Sequence, residues 1–139
     1  MLRYPSLFIS HSPEKGRGIF TSDPIPADTI IELAPVITMT SVERRLLDQT
    51  RLHDYIFEWG EDRSKCAMAL GWIPIFNHAV PANCEYFMDF DEETIFIKTV
   101  RAIVAGEELF VNYKGDFDNT EAVWFHGKLN CKGKYLRNT

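Results

Sequence analysis

Ile75-Phe76-Asn77-His78-Ala79 at one end and Gly106-Glu107-Glu108-Leu109-Phe110-Val111-Asn112-Tyr113 at the other frame the stretch around which this chain is organised. An apolar hairpin separates them. Asn77 and His78 follow Ile73, Ile75 and Phe76. Adjacent amide and imidazole groups bring several donors and acceptors that an apolar core would strand unless something polar meets them. A ligand is one such partner. A turn at Asn77 with a satisfied core histidine at His78 is the other reading. The second half is rich in β-formers and ends on Tyr113, just before Lys114-Gly115, which places a tyrosine at the mouth of a strand. A buried tyrosine by itself needs only one partner for its hydroxyl.

Working outward, residues 84–89 and 94–99 read as a hairpin around Asp91-Glu92-Glu93, and Gly106 turns the chain into the strand that ends before Tyr113. Upstream, residues 8–10 form a short strand, and Gly16-Arg17-Gly18 leads into another at 19–21. Two glycines around one residue permit positive φ and close approach of the backbone to a ligand. A plain hairpin turn is the commoner use of such a pair. The third glycine, following helix and later acid of a dinucleotide-binding fold are missing. Residues 29–33 and 36–39 read as two strands divided by Pro35. Ile25-Pro26-Ala27-Asp28-Thr29-Ile30-Ile31 echoes Ile103-Val104-Ala105-Gly106-Glu107-Glu108-Leu109, as though one turn-then-strand unit were used twice. Thr40-Ser41-Val42-Glu43 matches a capping box and predicts a short solvated helix to about Asp48. Residues 55–60 and 66–70 read as strands, with Tyr55, Phe57 and Trp59 on one face by period two. That stripe serves as core or as an aromatic wall around a lysine stem. Asp118-Asn119-Thr120-Glu121 reads as a second helix start, carrying Trp124 and Phe125.

With 139 residues and 45% hydrophobic content the chain suits one domain over residues 1–127, followed by a basic tail at 128–139. No apolar run approaches a membrane span, and the N-terminus lacks a signal-peptide core, so the expected location is cytoplasmic, without membrane contact. A net charge of -5 disfavours direct nucleic-acid binding. It suits a basic partner, although a solvated acidic surface explains it equally. Cys66, Cys84 and Cys131 are widely spaced and read as free thiols.

Lys15-Gly16-Arg17-Gly18-Ile19-Phe20, then Asn77-His78 with Asn83-Cys84, then Gly106-Glu107-Glu108-Leu109 to Tyr113 resembles the SET-domain protein lysine methyltransferases, in motif order, from about residue 8 to residue 125. The resemblance implies a mainly β SET-domain (β-clip) fold of several small sheets, short helices and a threaded C-terminal segment. It implies S-adenosylmethionine as cofactor and a lysine of a protein or peptide as acceptor, and it allows a homodimer. Tyr113 is then the catalytic tyrosine. Gly16, Arg17 and Gly18 meet the cofactor through backbone, Asn77 and His78 hold its amino-acid and adenine ends, and Phe125 stacks on adenine. Tyr55 and Val111 border the substrate. No metal is expected, since Cys131 stands alone where many relatives carry a zinc-binding cysteine cluster. Ala79 replaces the family's usual Ser, and Val111 replaces a Phe or Tyr that influences how many methyls are added. The chemistry needs a neutral amine. Deprotonating a free lysine of pKa near 10.4 at neutral pH costs about 4.6 kcal/mol, which burial and a neighbouring sulfonium reduce. Two other readings are a catalytically silent SET-like module that binds a basic peptide, and a β-domain whose three motifs are only turns.

Overall fold

A computed structural model describes residues 1–113 except Glu14. The expected second helix, threaded segment, basic tail, Phe125 and Cys131 lie outside the described residues. Among the described residues, ten strands run in the order β1 (Leu2–Arg3), β2 (Leu7–Ser12), β3 (Gly16–Thr21), β4 (Ile30–Met39), β5 (Phe57–Trp59), β6 (Lys65–Ala69), β7 (Asn77–His78), β8 (Cys84–Asp89), β9 (Thr94–Thr99) and β10 (Glu108–Val111). The mainly β expectation holds. The strands follow the path β2-β3-β10-β8-β9-β4-β6-β5, with β1 on β4 and β7 on β10. Three small sheets result, joined by two shared strands. β10 belongs to the β2-β3 sheet and to the central one, and β4 passes from the central sheet to the β5-β6 sheet.

The expected break at Pro35 does not occur, since β4 is one ten-residue strand through it. Along one edge β4 pairs β1 up to Leu33 and β6 from Val36 onward. Pro35 sits at that changeover. Its carbonyl accepts the Leu70 N–H at 3.0 Å, and the N–H it lacks falls where the ladder has a gap.

The faint internal echo is structural. Ile25 and Ile103 pair antiparallel, exchanging N–H···O bonds of 3.0 and 2.8 Å. Three residues on, Asp28 and Gly106 both take positive φ, 56° and 85°. Three further on, Ile31 and Leu109 are both fully buried. One unit is thus used twice, its two turns back to back, feeding β4 and β10. Ile19, Ile73, Phe76, Ile95 and Ile97 complete the centre of the core.

The helix α1 (Ser41–Leu47) forms where the capping box predicts. Thr40 Oγ1 accepts the Glu43 N–H at 3.1 Å and Glu43 Oε1 accepts the Thr40 N–H at 3.0 Å. It buries no residue, as a solvated insert would. The strand expected from residue 55 starts later. Thr50 caps a 3-10 turn over Arg51–Asp54, and Tyr55 ends it with αR geometry, so only Phe57 and Trp59 of the aromatic stripe share a strand. Both are buried in the core.

One buried ionic cluster ties the approach to Asn77 onto β4. Glu32 is fully buried, and its Oε2 accepts the Trp72 N–H at 2.7 Å while Oε1 lies 3.6 Å from Arg3 Nε. The Arg3 guanidinium in turn lies 3.6 Å over the Trp72 ring. Burial raises the Glu32 carboxyl above its ordinary range, opposed by the Trp72 N–H and by Arg3.

Candidate active site

β10 gathers the motifs. In parallel with β7 it sets Phe110 opposite Asn77 and Val111 opposite His78. Antiparallel to β3, it sets Glu108 opposite Phe20 and Leu109 opposite Ile19. The Gly16-Arg17-Gly18 end of β3, Asn77-His78 and Tyr113 are therefore neighbours through backbone pairing. Asn83 staples the arrangement, donating to the Glu108 carbonyl at 2.8 Å and accepting the Phe110 N–H at 2.7 Å.

Asn77 is fully buried. Its Nδ2 donates to the Arg17 carbonyl at 3.0 Å and to Glu108 Oε2 at 2.9 Å. The opposite amide orientation would set an oxygen against a carbonyl and a carboxylate, so these two acceptors fix it. Asn77 Oδ1 is then buried with no partner among the described residues. Gly18 lines the same spot, because a Cβ there would overlap Glu108 Oε2 and lie 2.9 Å from Asn77 Nδ2.

His78 Nδ1 accepts the Tyr113 N–H at 3.0 Å, which places the ring proton of the neutral imidazole on Nε2. The two rings lie 4.9 Å apart at 35°. The His78 carbonyl accepts from Lys15 Nζ at 2.6 Å. Burial, reinforced by the Lys15 ammonium, lowers the imidazole from its ordinary 6.5 to about 4. The folded state therefore resists a proton that the unfolded chain takes up, so stability is undiminished above pH 6.5 and falls between pH 6.5 and about 4. The full shift corresponds to roughly 3 kcal/mol, reduced to roughly 1–2 by solvent screening of the partly exposed ring. Urea unfolding at pH 7.5 and pH 4.5 checks this: His78→Gln is expected to lose less stability on acidification than the wild type by that amount.

The Tyr113 hydroxyl donates to the Phe76 carbonyl at 2.9 Å, and the Tyr113 carbonyl accepts from the Tyr86 hydroxyl at 3.2 Å. Burial pushes the Tyr113 phenol well above its ordinary range, with further contributions from Tyr86, Glu108 and Asp54. Tyr113 is thus a neutral phenol, a hydrogen-bonding group rather than a phenolate base.

Of the residues expected from sequence, Gly16, Arg17, Gly18, Asn77, His78, Val111 and Tyr113 share this cluster. Val111 is buried to 2% exposure and pairs with His78 and Cys84. Tyr55 stands apart in sequence, half-buried beside Asp54, whose carboxylate is one of the charges acting on Tyr113. Sequence reasoning passed over Glu108, Ser12, Lys15 and Tyr86. Glu108 sat inside a motif already singled out, whereas only the folded pairing of strands brings Ser12 or Tyr86 to the site.

The SET domain family profile matches residues 16–114, spanning all three motifs. The chain belongs to the SET-domain family. This SET domain is 33% identical over 139 residues to a Schizosaccharomyces pombe histone-lysine N-methyltransferase, H3 lysine-37 specific, covering 99% of this chain and 88% of that protein. It is 31% identical over 141 residues to the histone-lysine N-methyltransferase trithorax of Drosophila virilis and of Drosophila melanogaster, covering 96% of this chain but only 4% of either relative. Among solved structures it resembles a candidate histone methyltransferase of Plasmodium falciparum, with a TM-score of 0.61, 22% identity, and coverage of 79% of this chain and 94% of that one. It also resembles a humanized mutant of the Chaetomium thermophilum Polycomb Repressive Complex 2 bound to the inhibitor GSK126, with a TM-score of 0.67, 22% identity, and coverage of 86% of this chain and 16% of that one. At these identities the two structures speak for the fold alone.

Proposed function

We propose that this SET domain transfers methyl groups from S-adenosylmethionine to a lysine of a basic protein segment, with a histone H3 tail as the first substrate to test. By family the protein is a protein-lysine methyltransferase; cofactor and substrate are the finer reading. The histone choice rests on the full-length similarity to a relative named for that activity, and on a net charge of -5, which favours a basic partner.

The observation that carries the cofactor reading is Asn77 Oδ1, a buried acceptor without a partner among the described residues. Leaving such a group unmet costs about 1–3 kcal/mol. A donor suits it, and the nearby Glu108 carboxylate makes that donor better cationic, as the α-ammonium of S-adenosylmethionine is. Gly18 leaves the backbone free of a side chain beside it. When bound, the cofactor supplies a methyl group on a sulfonium that a neutral amine can attack. Tyr113 donates its proton to the Phe76 carbonyl, so toward the lysine amine its oxygen acts as an acceptor that aligns it. No side chain among these acts as a strong base. Burial of the lysine, which disfavours its charged form, takes that place.

Calorimetric titration of S-adenosylmethionine into wild type and Asn77→Ala tests the reading, followed by mass spectrometry of an H3 tail peptide. Saturable wild-type binding, weakened on the order of tenfold or more in Asn77→Ala, is expected. No binding by folded wild type overturns it.

A further inference from the structure

We propose that Glu108 is a positioning residue that sets which atom of Asn77 meets the cofactor, and with it the enzyme's selectivity for a cationic amino group. This rests on the cofactor reading above. A primary amide can turn either edge outward, and in water nothing chooses between them. Here Glu108 chooses, together with the Arg17 carbonyl. Both of its carboxylate oxygens accept in this structure, and Oε2 takes the Asn77 Nδ2 hydrogen at 2.9 Å. The second Nδ2 hydrogen goes to the Arg17 carbonyl at 3.0 Å. Both amide hydrogens are consumed, and only the acceptor Oδ1 is left without a partner among the described residues.

Glu108 is itself held. Its other oxygen, Oε1, accepts the Ser12 hydroxyl at 2.7 Å across the β2-β3-β10 sheet. The missing side chain at Gly18 makes room, since a Cβ there would overlap the carboxylate. Ser12 and Asn77 thus both donate to Glu108, one to each oxygen, in a chain of contacts with the carboxylate at its centre and Asn77 Oδ1 at its end. The negative charge at its centre favours a cation at Oδ1 over a neutral donor.

Replacing the carboxylate by an amide of the same shape removes both properties. Glu108→Gln carries no charge and can donate as well as accept, so one of the two acceptors that hold the Asn77 orientation is lost and only the Arg17 carbonyl still opposes a turn. The probes are S-adenosylhomocysteine and its analogue lacking the α-amino group, titrated calorimetrically into wild type, Glu108→Gln and Ser12→Ala, each checked for folding by thermal unfolding. Wild type is expected to prefer the amino-bearing ligand roughly tenfold or more. In Glu108→Gln that preference is expected to fall to about threefold or less, with a smaller loss in Ser12→Ala. A merely structural role would weaken both ligands alike and leave the ratio unchanged. If folded Glu108→Gln keeps the wild-type ratio, Glu108 does not position Asn77, while binding by wild type leaves the cofactor reading standing. If wild type binds neither ligand, the cofactor reading fails and this inference fails with it. Should Glu108→Gln not fold, the ratio in Ser12→Ala decides: a wild-type value overturns the proposal.

Discussion

Tyr113→Phe is expected to lower the rate of methyl transfer on the order of 10²-fold or more while leaving S-adenosylmethionine affinity within about twofold. That magnitude is typical of losing a group that aligns reacting atoms. The change removes one oxygen. The ring remains against His78 at 4.9 Å, and the backbone N–H still bonds His78 Nδ1 at 3.0 Å, so the cofactor-side geometry persists. What disappears is the hydroxyl tethered to the Phe76 carbonyl, the group assigned to the amine. Because burial keeps this phenol neutral, the wild-type rate should show no ionisation of Tyr113 across the neutral range. Single-turnover kinetics with calorimetry separates the two effects. A parallel loss of affinity and rate would mean that Tyr113 supports the fold of the site rather than the chemistry.

Gly71→Ala is expected to destabilise the fold by about 3 kcal/mol or more and to weaken cofactor binding at a distance. Two costs combine. Gly71 has φ of +70°, a conformation that costs an L-residue about 1–2 kcal/mol. Its added Cβ would also lie 2.5 Å from Glu32 Oε2 and 3.0 Å from Met1 Sδ. Glu32 has little room to yield, being fully buried and bonded to the Trp72 N–H. Disturbing a buried carboxylate in this way belongs to the mechanisms that give large losses. Gly106→Ala is the control, since φ there is +85° but nothing lies within 4 Å of the new Cβ. It should lose only the backbone cost of about 1–2 kcal/mol. Urea unfolding of both variants checks the difference. The functional consequence follows from connectivity: Trp72 leads through the Ile73–Ile75 turn to Asn77 and His78, so a displaced loop moves the site.

Local signals read well wherever the physics is local. The capping box at Thr40 and Glu43, the hairpin of β8 and β9 and the turn at Gly106 all depend on neighbours within a few residues, and all formed as the residues dictate. Tyr55 misled because period-two spacing says nothing about a competing cap, and the Thr50 side chain bonding the Leu52 N–H made a 3-10 turn of its approach. Pro35 misled for a related reason. A proline breaks a ladder only where a donor is required, and whether one is required depends on which strands flank it.

By itself, the order of Lys15 to Phe20, Asn77-His78 and Gly106 to Tyr113 determined the family and the mainly β class, because these need only residue types at given spacings. The roles within the site were decided by tertiary structure. Asn77 has four hydrogen-bonding positions in any sequence. Only the pairing of β10 with β3 and β7 brings Glu108 and the Arg17 carbonyl to two of them and leaves Oδ1 without a partner among the described residues. Likewise His78 titrates near 6.5 in a free chain, and its value of about 4 exists only once burial and Lys15 surround it. Hydrogen-bond direction and proton affinity are set by groups distant in sequence, which no local pattern encodes.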